Sequence, residues 1–403
     1  MNNHAITHGL EGEWVTPDWP PLTLEFARRL LAQYSQAGSP LGLASVSPRP
    51  FSSASVVTTD HDPIFVKRHS AEVRTLAGLH EEHLFMRHLR EGGVSVPLVL
   101  AADNSATAVA LEDDFGLWSC EVQTVPAGVD LYRDALSWTP FHSVSHAYSA
   151  GQALAHFHQA ARTYAAPARS LQMLLGSFTL FAGLDSAAAL NNYLSLRPQL
   201  SEFVRRSNST QQALELLAPF HRELIPLLGD LTPLWTHNDL HASNLLWSSE
   251  RPTAEATAIL DFGLADRTTA VYDIAFAIER NIVEWLKLPT VIDHATNIPV
   301  HLDALNALLN GYQSVRRLTP AESIALAPMT ALCCAEFALS EADYFLGALH
   351  SEKRASLAID GYLLRHAQWF RSPEGEHLVE AIRRAVTSTN LRAPDPSHKG
   401  KQS

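Results

Sequence analysis

Most of the second half of this chain carries apolar residues at helical spacing, but one strip, from Leu234 to Asp266, does not. There short apolar runs alternate with polar clusters: LWTHNDLHASNLLW, then AILDFGLAD. Runs that short read as strands rather than as helices able to bury a face. The polar clusters between them fall in loops, and loops on a rigid scaffold are where binding and catalytic groups collect. Any fold for this chain must hold two polar loops on short strands inside a helical body.

The rest of the chain is laid out around that strip. After Pro20-Pro21, Leu24, Ala27, Leu30, Leu31 and Tyr34 share one helical face, with Thr23 as N-cap. From about Ser45 the pattern turns to strands, at Ser53–Thr59 and Ile64–Arg68, joined by the turn residues Asp60 to Pro63. A helix follows through Leu79, His83, Phe85 or Met86 and Leu89, stopped by Gly92-Gly93. Two more strands fit Leu98–Ala101 and Ala106–Glu112. Beyond Gly116 helices are expected at Ser145–Ala161, Ser186–Leu196, Ser209–Leu217, Pro320–Gly347 and Arg354–Phe370. This gives an α+β, bilobal plan. Residues 1–42 form an arm and helix, 43–116 a small β-rich lobe with a hinge at Glu112–Gly116, 117–391 a large helical lobe, and 392–403 a disordered tail.

Composition narrows the partners. With 30 Lys and Arg against 42 Asp and Glu the net charge is −12, which lacks the basic field that nonspecific nucleic-acid or anionic-membrane binding requires. The 3 cysteines build no disulfide framework, and Cys333-Cys334 in a helical stretch reads as core packing. The start, MNNHAITHGLEGEW, has neither the basic flank nor the apolar run of a signal peptide, so the expected compartment is the cytoplasm.

The chemistry lies in the strip. His237, Asp239 and Asn244 form H-x-D-x-x-x-x-N, and Asp261 opens D-F-G after an apolar run. Phosphoryl transfer from a nucleotide needs a carboxylate for the acceptor's proton, hard oxygen ligands for Mg²⁺, and a cation on the phosphates. An Asp followed five residues later by an Asn supplies a base and a metal ligand from one loop. An Asp beyond the next strand supplies a second ligand.

With Y-D-I-A at 272–275 added, these residues resemble the catalytic and metal-binding loops of the aminoglycoside phosphotransferase and choline kinase-like family. The resemblance runs roughly from Ser45 to Phe345 and implies a protein kinase-like fold using ATP and Mg²⁺. It implies Asp239 as catalytic base, Asn244 and Asp261 as metal ligands, and Lys67, at the end of IFVK, on the nucleotide phosphates. Glu82, fifteen residues after Lys67, is implied as that lysine's partner, with adjacent Glu81 the alternative. Glu112 and Asp113 fall where the family's hinge meets adenine, and Asp273 where it holds the catalytic loop; alone, Asp273 reads equally well as an N-cap. The phosphate-covering stretch, Pro50 to Ser55, departs from the pattern in having no glycine; Ser53 is its candidate phosphate contact. Asn238 stands where many relatives have Gly.

The function expected is ATP-dependent phosphorylation of a hydroxyl on a small molecule such as an aminoglycoside, amino alcohol or sugar-like metabolite. A silent nucleotide-binding module and an AMP-transferring enzyme are the alternatives. His237 and His241 have a zinc-like spacing with no third ligand suggested; His237 is expected to brace its loop and His241 to sit near the acceptor. His158 reads as an ordinary helix residue. If Glu336, Ser340, Asp343 and Tyr344 line the cleft from one helix face, they would favour a cationic or polyhydroxylated acceptor, with Tyr272 and Trp285 as candidate walls.

Overall fold

A computed structural model describes residues 17–47, 50–289, 291 and 297–391. The tail set apart at 392–403 and the first sixteen residues of the arm lie outside them.

The small lobe is built on one antiparallel sheet. Its strands are β1 (Pro40–Val46), β2 (Ser53–Thr59), β3 (Ile64–Ser70), β4 (Val109–Asp113) and β5 (Gly116–Thr124), in the order β1-β2-β3-β5-β4. Period-two alternation gives the sheet two apolar faces. Val57, Val66, Trp118, Cys120 and Val122 pack against α1 (Leu24–Leu31), which Thr23 caps by accepting from the Phe26 N–H at 3.1 Å. Helix α1 therefore belongs to the small lobe rather than to a separate arm. On the opposite face, α2 (Leu76–Glu91) buries Glu82, Phe85, Met86 and Leu89.

This lobe ends later than the expected hinge at Glu112–Gly116. Residues Asp113 to Gly116 are a two-residue hairpin turn, with Asp113 paired to Gly116, and not a hinge. The chain returns as β5, which pairs with both β3 and β4, and leaves the sheet only after Thr124. The strand expected at Leu98–Ala101 is reduced to a single bridge between Val99 and Gln123.

The large lobe runs through α3 (Val144–Ala161), α4 (Ser186–Ser195), α5 (Pro198–Arg205) and α6 (Ser209–Leu224). The polar strip follows as β6 (Pro233–Thr236), β7 (Leu245–Trp247), β8 (Ala256–Ile259) and β9 (Asp266–Thr269). Pairing is nested: β6 with β9, β7 with β8. The loops β6–β7 and β8–β9 are thereby brought to one end of the two ribbons. Then come α7 (Ala270–Ile282), α8 (Leu302–Val315), α9 (Pro320–Leu332), α10 (Cys334–Gly347), α11 (Glu352–Ser356), α12 (Arg365–Phe370) and α13 (Pro373–Leu391). Helices α9 and α10 are nearly continuous and almost wholly buried, so their apolarity serves the core. The single helix expected over Arg354–Phe370 is instead α11 and α12 joined by a π-helical stretch, Leu357–Leu364.

Helices α3 and α8 approach backbone to backbone. A Cβ on Gly151 would stand 2.1 Å from the Leu308 carbonyl oxygen, and one on Gly311 would stand 1.9 Å from that of Tyr148. Gly311→Ala should therefore force the helices apart and cost ~1–3 kcal/mol, read as a lowered midpoint of thermal unfolding. An unchanged midpoint would show that the two helices part freely.

Candidate active site

The β6–β7 loop is held by one buried carboxylate. Thr269 caps α7, and Asp273 sits in its first turn, fully buried. Asp273 Oδ2 accepts from the His237 N–H at 2.9 Å and Oδ1 from the Asn238 N–H at 2.8 Å. His158 adds a third bond, at 3.0 Å from Nε2 to Oδ2, while its Nδ1 faces the Tyr312 hydroxyl at 2.7 Å. Burial would raise the Asp273 pKa, but His158 and the backbone donors hold it below the usual carboxylate value. His158 is thus part of the loop's support, which its sequence context did not signal. Asn238 has φ +61°, a left-handed conformation that Asn tolerates better than most residues, and its amide reaches the Leu264 carbonyl at 3.3 Å.

His237 ties the two loops together. Its Nδ1 accepts from the Asp239 N–H at 3.2 Å, and its Nε2 donates to the Leu260 carbonyl at 2.8 Å. Both ring nitrogens are used within the fold, so His237 braces the loop rather than joining His241 on a metal.

The reactive groups follow from this frame. Asn244 Nδ2 donates to the Asp239 carbonyl at 2.9 Å, which leaves the amide oxygen as its available ligand atom. Asp239 Oδ1 lies 3.3 Å from Arg280 Nε, and its Oδ2 lies 3.6 Å from His241 Nε2. Burial would raise the Asp239 pKa, but His241 and Arg280 keep it below its ordinary value, so the carboxylate is ionised. Arg280, two turns beyond Asp273 on α7, was not legible in the sequence. It also meets Glu279 at 3.3 Å, donates to the Tyr362 hydroxyl at 2.8 Å and lies over the Trp138 ring.

Asp261 has φ +58° and pairs with Lys67 Nζ at 3.0 Å across the lobes. Burial works against that carboxylate's charge, but Lys67 outweighs it and holds the pKa well below the usual range. Burial likewise opposes the charge on Lys67, and Asp261, Glu121 and Glu82 together hold its pKa above the ordinary lysine value.

Two cavities meet at these residues. The larger, about 240 Å³, lies between the sheet and the large lobe, walled by Ala54, Val56, Phe65, Met86, Leu246 and Phe262. The smaller, about 90 Å³, holds Asp239, His241 and Arg280, with Phe51, Trp138 and Phe337 as aromatic walls. Lys67, Asn244 and Asp261 line both, and Asp239 lines only the smaller.

The structure brings five of the eight sequence-predicted residues to these cavities: Asp239, Asn244, Asp261, Lys67 and Glu82. Glu82 lines the larger one beside Lys67, but its contact is Arg169 Nη2 at 3.4 Å rather than the lysine. Glu81 is half-exposed and bonds Ser170, which favours Glu82 of the two. Ser53 is displaced. It sits opposite Arg68 in the β2–β3 register, on the face turned away from the cleft, whereas Ser52 lines both cavities. Glu112 and Asp113 are also misplaced, by the hairpin described above. Asp113 pairs with Arg68 at 2.6 Å and accepts from Trp118 Nε1 at 2.8 Å, while the Glu112 carbonyl takes Arg29 at 2.7 Å. The segment beside the larger cavity is instead Gln123 to Pro126.

The acidic face of α10 does not line the cleft. Glu336 accepts from the Thr179 and Leu180 N–H groups at 2.6 and 2.9 Å, Asp343 pairs with Arg197 at 3.3 Å, and Ser340 accepts from Leu175 N–H at 3.3 Å. The Tyr344 hydroxyl bonds Asp18 at 2.8 Å. Tyr272 and Trp285 are core residues; the first donates to the Ser177 carbonyl at 2.7 Å and the second stacks on His366.

A small sheet presenting a lysine above two carboxylate loops of a helical lobe defines the bilobal, protein kinase-like class. Within it, the chain belongs to the phosphotransferase enzyme family, whose model matches residues 48–316. It is 26% identical over 241 residues to a homoserine kinase of Rhodopseudomonas palustris, a match covering 60% of this chain and 61% of that one. A homoserine kinase of Granulibacter bethesdensis is 29% identical over 203 residues, 50% of this chain and 54% of its own. The chain thus spans little more than half the length of the curated relatives it matches. Among solved structures, a microcompartment-associated aminopropanol kinase superposes with a TM-score of 0.59 at 18% identity, over 88% of this chain and 99% of its own. An amicoumacin kinase in complex with AMP-PNP, Ca²⁺ and Ami gives 0.51 at 14% identity, over 91% and 93%. Both share the fold.

The buried histidines make the site acid-sensitive. Burial depresses His158, despite Asp273, and also His69 and His366 despite Glu121 and Glu279. The unfolded chain takes up protons at the ordinary histidine value, whereas the folded one does so only lower. Their contribution is therefore intact above that value and is lost as pH falls towards the depressed ones. The midpoint of thermal unfolding should decline between about pH 7 and pH 5, and His158→Gln should flatten the slope. A midpoint constant over that range would contradict this assignment.

Proposed function

We propose that this protein transfers the γ-phosphoryl group of ATP to a hydroxyl of a small molecule. One observation carries the reading. The residues suited to phosphate and metal, Lys67, Asn244 and Asp261, line the junction of two cavities, and the residue suited to deprotonation, Asp239, faces only the smaller. Nucleotide in the larger cavity then points its reactive end at that junction, and the acceptor occupies the smaller.

The donor set fits Mg²⁺: one carboxylate and one amide oxygen, both hard ligands, beside space for phosphate oxygens and water. Asn244 and Asp261 would hold the ion, which when bound neutralises charge on the β- and γ-phosphates. Lys67, released from Asp261, steadies the α/β-phosphates, with Glu82 and Glu121 remaining to balance it. The acceptor hydroxyl's proton passes to Asp239. Its oxygen forms a bond to the γ-phosphorus as the bond from that phosphorus to the bridging β–γ oxygen breaks, and the electron pair of that bond leaves on ADP. Backbone groups from Gln123 to Pro126 are placed to meet adenine.

The acceptor is small and not polycationic. Acidic residues of α10 are engaged in packing, and the smaller cavity is walled by Phe51, Trp138 and Phe337 with Arg280 close to the base. The likeness to homoserine kinases supports a hydroxyl-bearing metabolite of that size.

Asp239→Asn should cut turnover by roughly 10²–10⁴ while nucleotide binding persists, which is what a positioned base contributes. Steady-state assay of ADP release, with calorimetry of ATP binding, reads both; near-native turnover would remove Asp239 from the chemistry. Asp261→Ala should abolish the Mg²⁺ dependence of nucleotide binding, and an unchanged Mg²⁺ titration would overturn the ligand assignment. The product's mass distinguishes an added phosphate from an added AMP.

A further inference from the structure

The basic side chains at the smaller cavity are matched to carboxylates, with one exception. Lys67 meets Asp261, His69 meets Glu121, and Arg280 meets Asp239 and Glu279. Arg74 lines the same cavity and is 3% exposed. Its bonds go to main-chain carbonyls alone: Nη1 to Met173 at 3.0 Å, and Nη2 to Leu174 at 2.7 Å and Gly263 at 2.5 Å. Among the described residues it has no ion pair. Burial, with Arg169 nearby, pushes its pKa down to about 10, so the guanidinium is still charged at neutral pH.

A buried cation that touches no carboxylate is costly; Glu82, Asp261 and Glu121 act on it only from a distance, and carbonyl dipoles only partly offset the cost. Three of the five guanidinium N–H groups are engaged by these carbonyls, both on Nη2 and one on Nη1, which leaves the second Nη1 N–H and the Nε N–H as donors. Their surroundings point to an oxyanion. Arg74 lines the smaller cavity together with Asp239, Asn244 and Asp261, and Gly263 adjoins both the guanidinium and the metal-binding carboxylate: a Cβ on it would lie 3.3 Å from Asp261 Oδ1 and 3.5 Å from Arg74 Nη2. This is the end of the cleft to which the nucleotide's terminal phosphate must come if Asp261 and Asn244 hold its metal.

Resting on the phosphotransferase reading above, we propose that Arg74 binds the terminal phosphoryl oxygens of the nucleotide and compensates their charge during transfer. Negative charge spreads over the three equatorial oxygens as the group moves from ADP to the acceptor oxygen, and catalysis of that step is chiefly electrostatic. A charge-assisted bond from Arg74 strengthens there. ADP, which lacks the terminal group, gains nothing from it.

The test is differential nucleotide affinity. Calorimetry with Mg²⁺ compares AMP-PNP and ADP on the wild-type protein, on Arg74→Gln and on Arg74→Lys. Arg74→Gln should weaken AMP-PNP by about tenfold or more and leave ADP within about twofold, with Arg74→Lys recovering part of the loss. Slow hydrolysis of ATP by water should fall together with acceptor-dependent kcat. Equal weakening of both nucleotides, with a lowered unfolding temperature in both variants, would mean that Arg74 only packs the lobes together, and would overturn the proposal. A raised acceptor KM with unchanged AMP-PNP affinity would also overturn it, assigning the cation to an anionic acceptor. Wild-type protein that binds neither nucleotide would overturn the phosphotransferase reading itself.

Discussion

The geometry of the candidate site depends on the Asp273 carboxylate. It takes the N–H groups of His237 and Asn238, which head the β6–β7 loop, and it does so in a fully buried setting with His158 behind it. Removing that carboxylate would leave two buried donors unpaired, at ~1–3 kcal/mol each. The loop would have to reach water to satisfy them, and Asp239 would move with it. The close crossing of α3 and α8 belongs to the same support, because α3 carries His158 and α8 carries the Tyr312 whose hydroxyl meets its Nδ1. From Asp273 the order extends through His237 to the Leu260 carbonyl, and so to Asp261.

The cleft is electrostatically prepared before any ligand enters. Lys67 and Asp261, from opposite lobes, neutralise each other in the cavity that a polyanion and a divalent cation are suited to fill. On the proposed function, exchanging that pair for phosphate and metal would keep the charges matched throughout, leaving neither partner buried alone. Arg169 performs the companion task. Its guanidinium binds Glu82 and Gly78 on α2 and the Gly263 and Ala265 carbonyls of the β8–β9 loop, so it pins the small lobe to the large one beside the site.

On the proposed function, the acceptor is chosen on a different principle. The α10 face that would have suited a cationic acceptor is used to cap backbone N–H groups and to hold Arg197 and the N-terminal segment. Aromatic rings drawn from three distant segments, at Phe51, Trp138 and Phe337, replace it around Asp239. Family membership gives the scaffold, and on the function proposed here these walls set the acceptor.

Much of this was determined by sequence alone. Short-range patterns fixed α1 and α2, the strands β2 and β3, the helices α3, α4 and α6 and the stretch of α9 and α10, and the loop positions of Asp239, Asn244 and Asp261, because periodicity and local spacing encode them. What failed was tertiary. The segment Asp113 to Gly116 satisfies a hinge and a hairpin turn equally well, and only the pairing of β5 with both β3 and β4 decided for the turn. That choice carried Glu112 and Asp113 away from the cleft. Ser53 was lost to a shift of one residue, which turns a strand side chain to the other face of its sheet. Arg74, His158 and Arg280 carry no motif, and each gains its role from contacts with residues far away in the chain. Sequence determines which loops carry the chemistry; the packing of helices and lobes decides which charges those loops meet, because such contacts have no local signature.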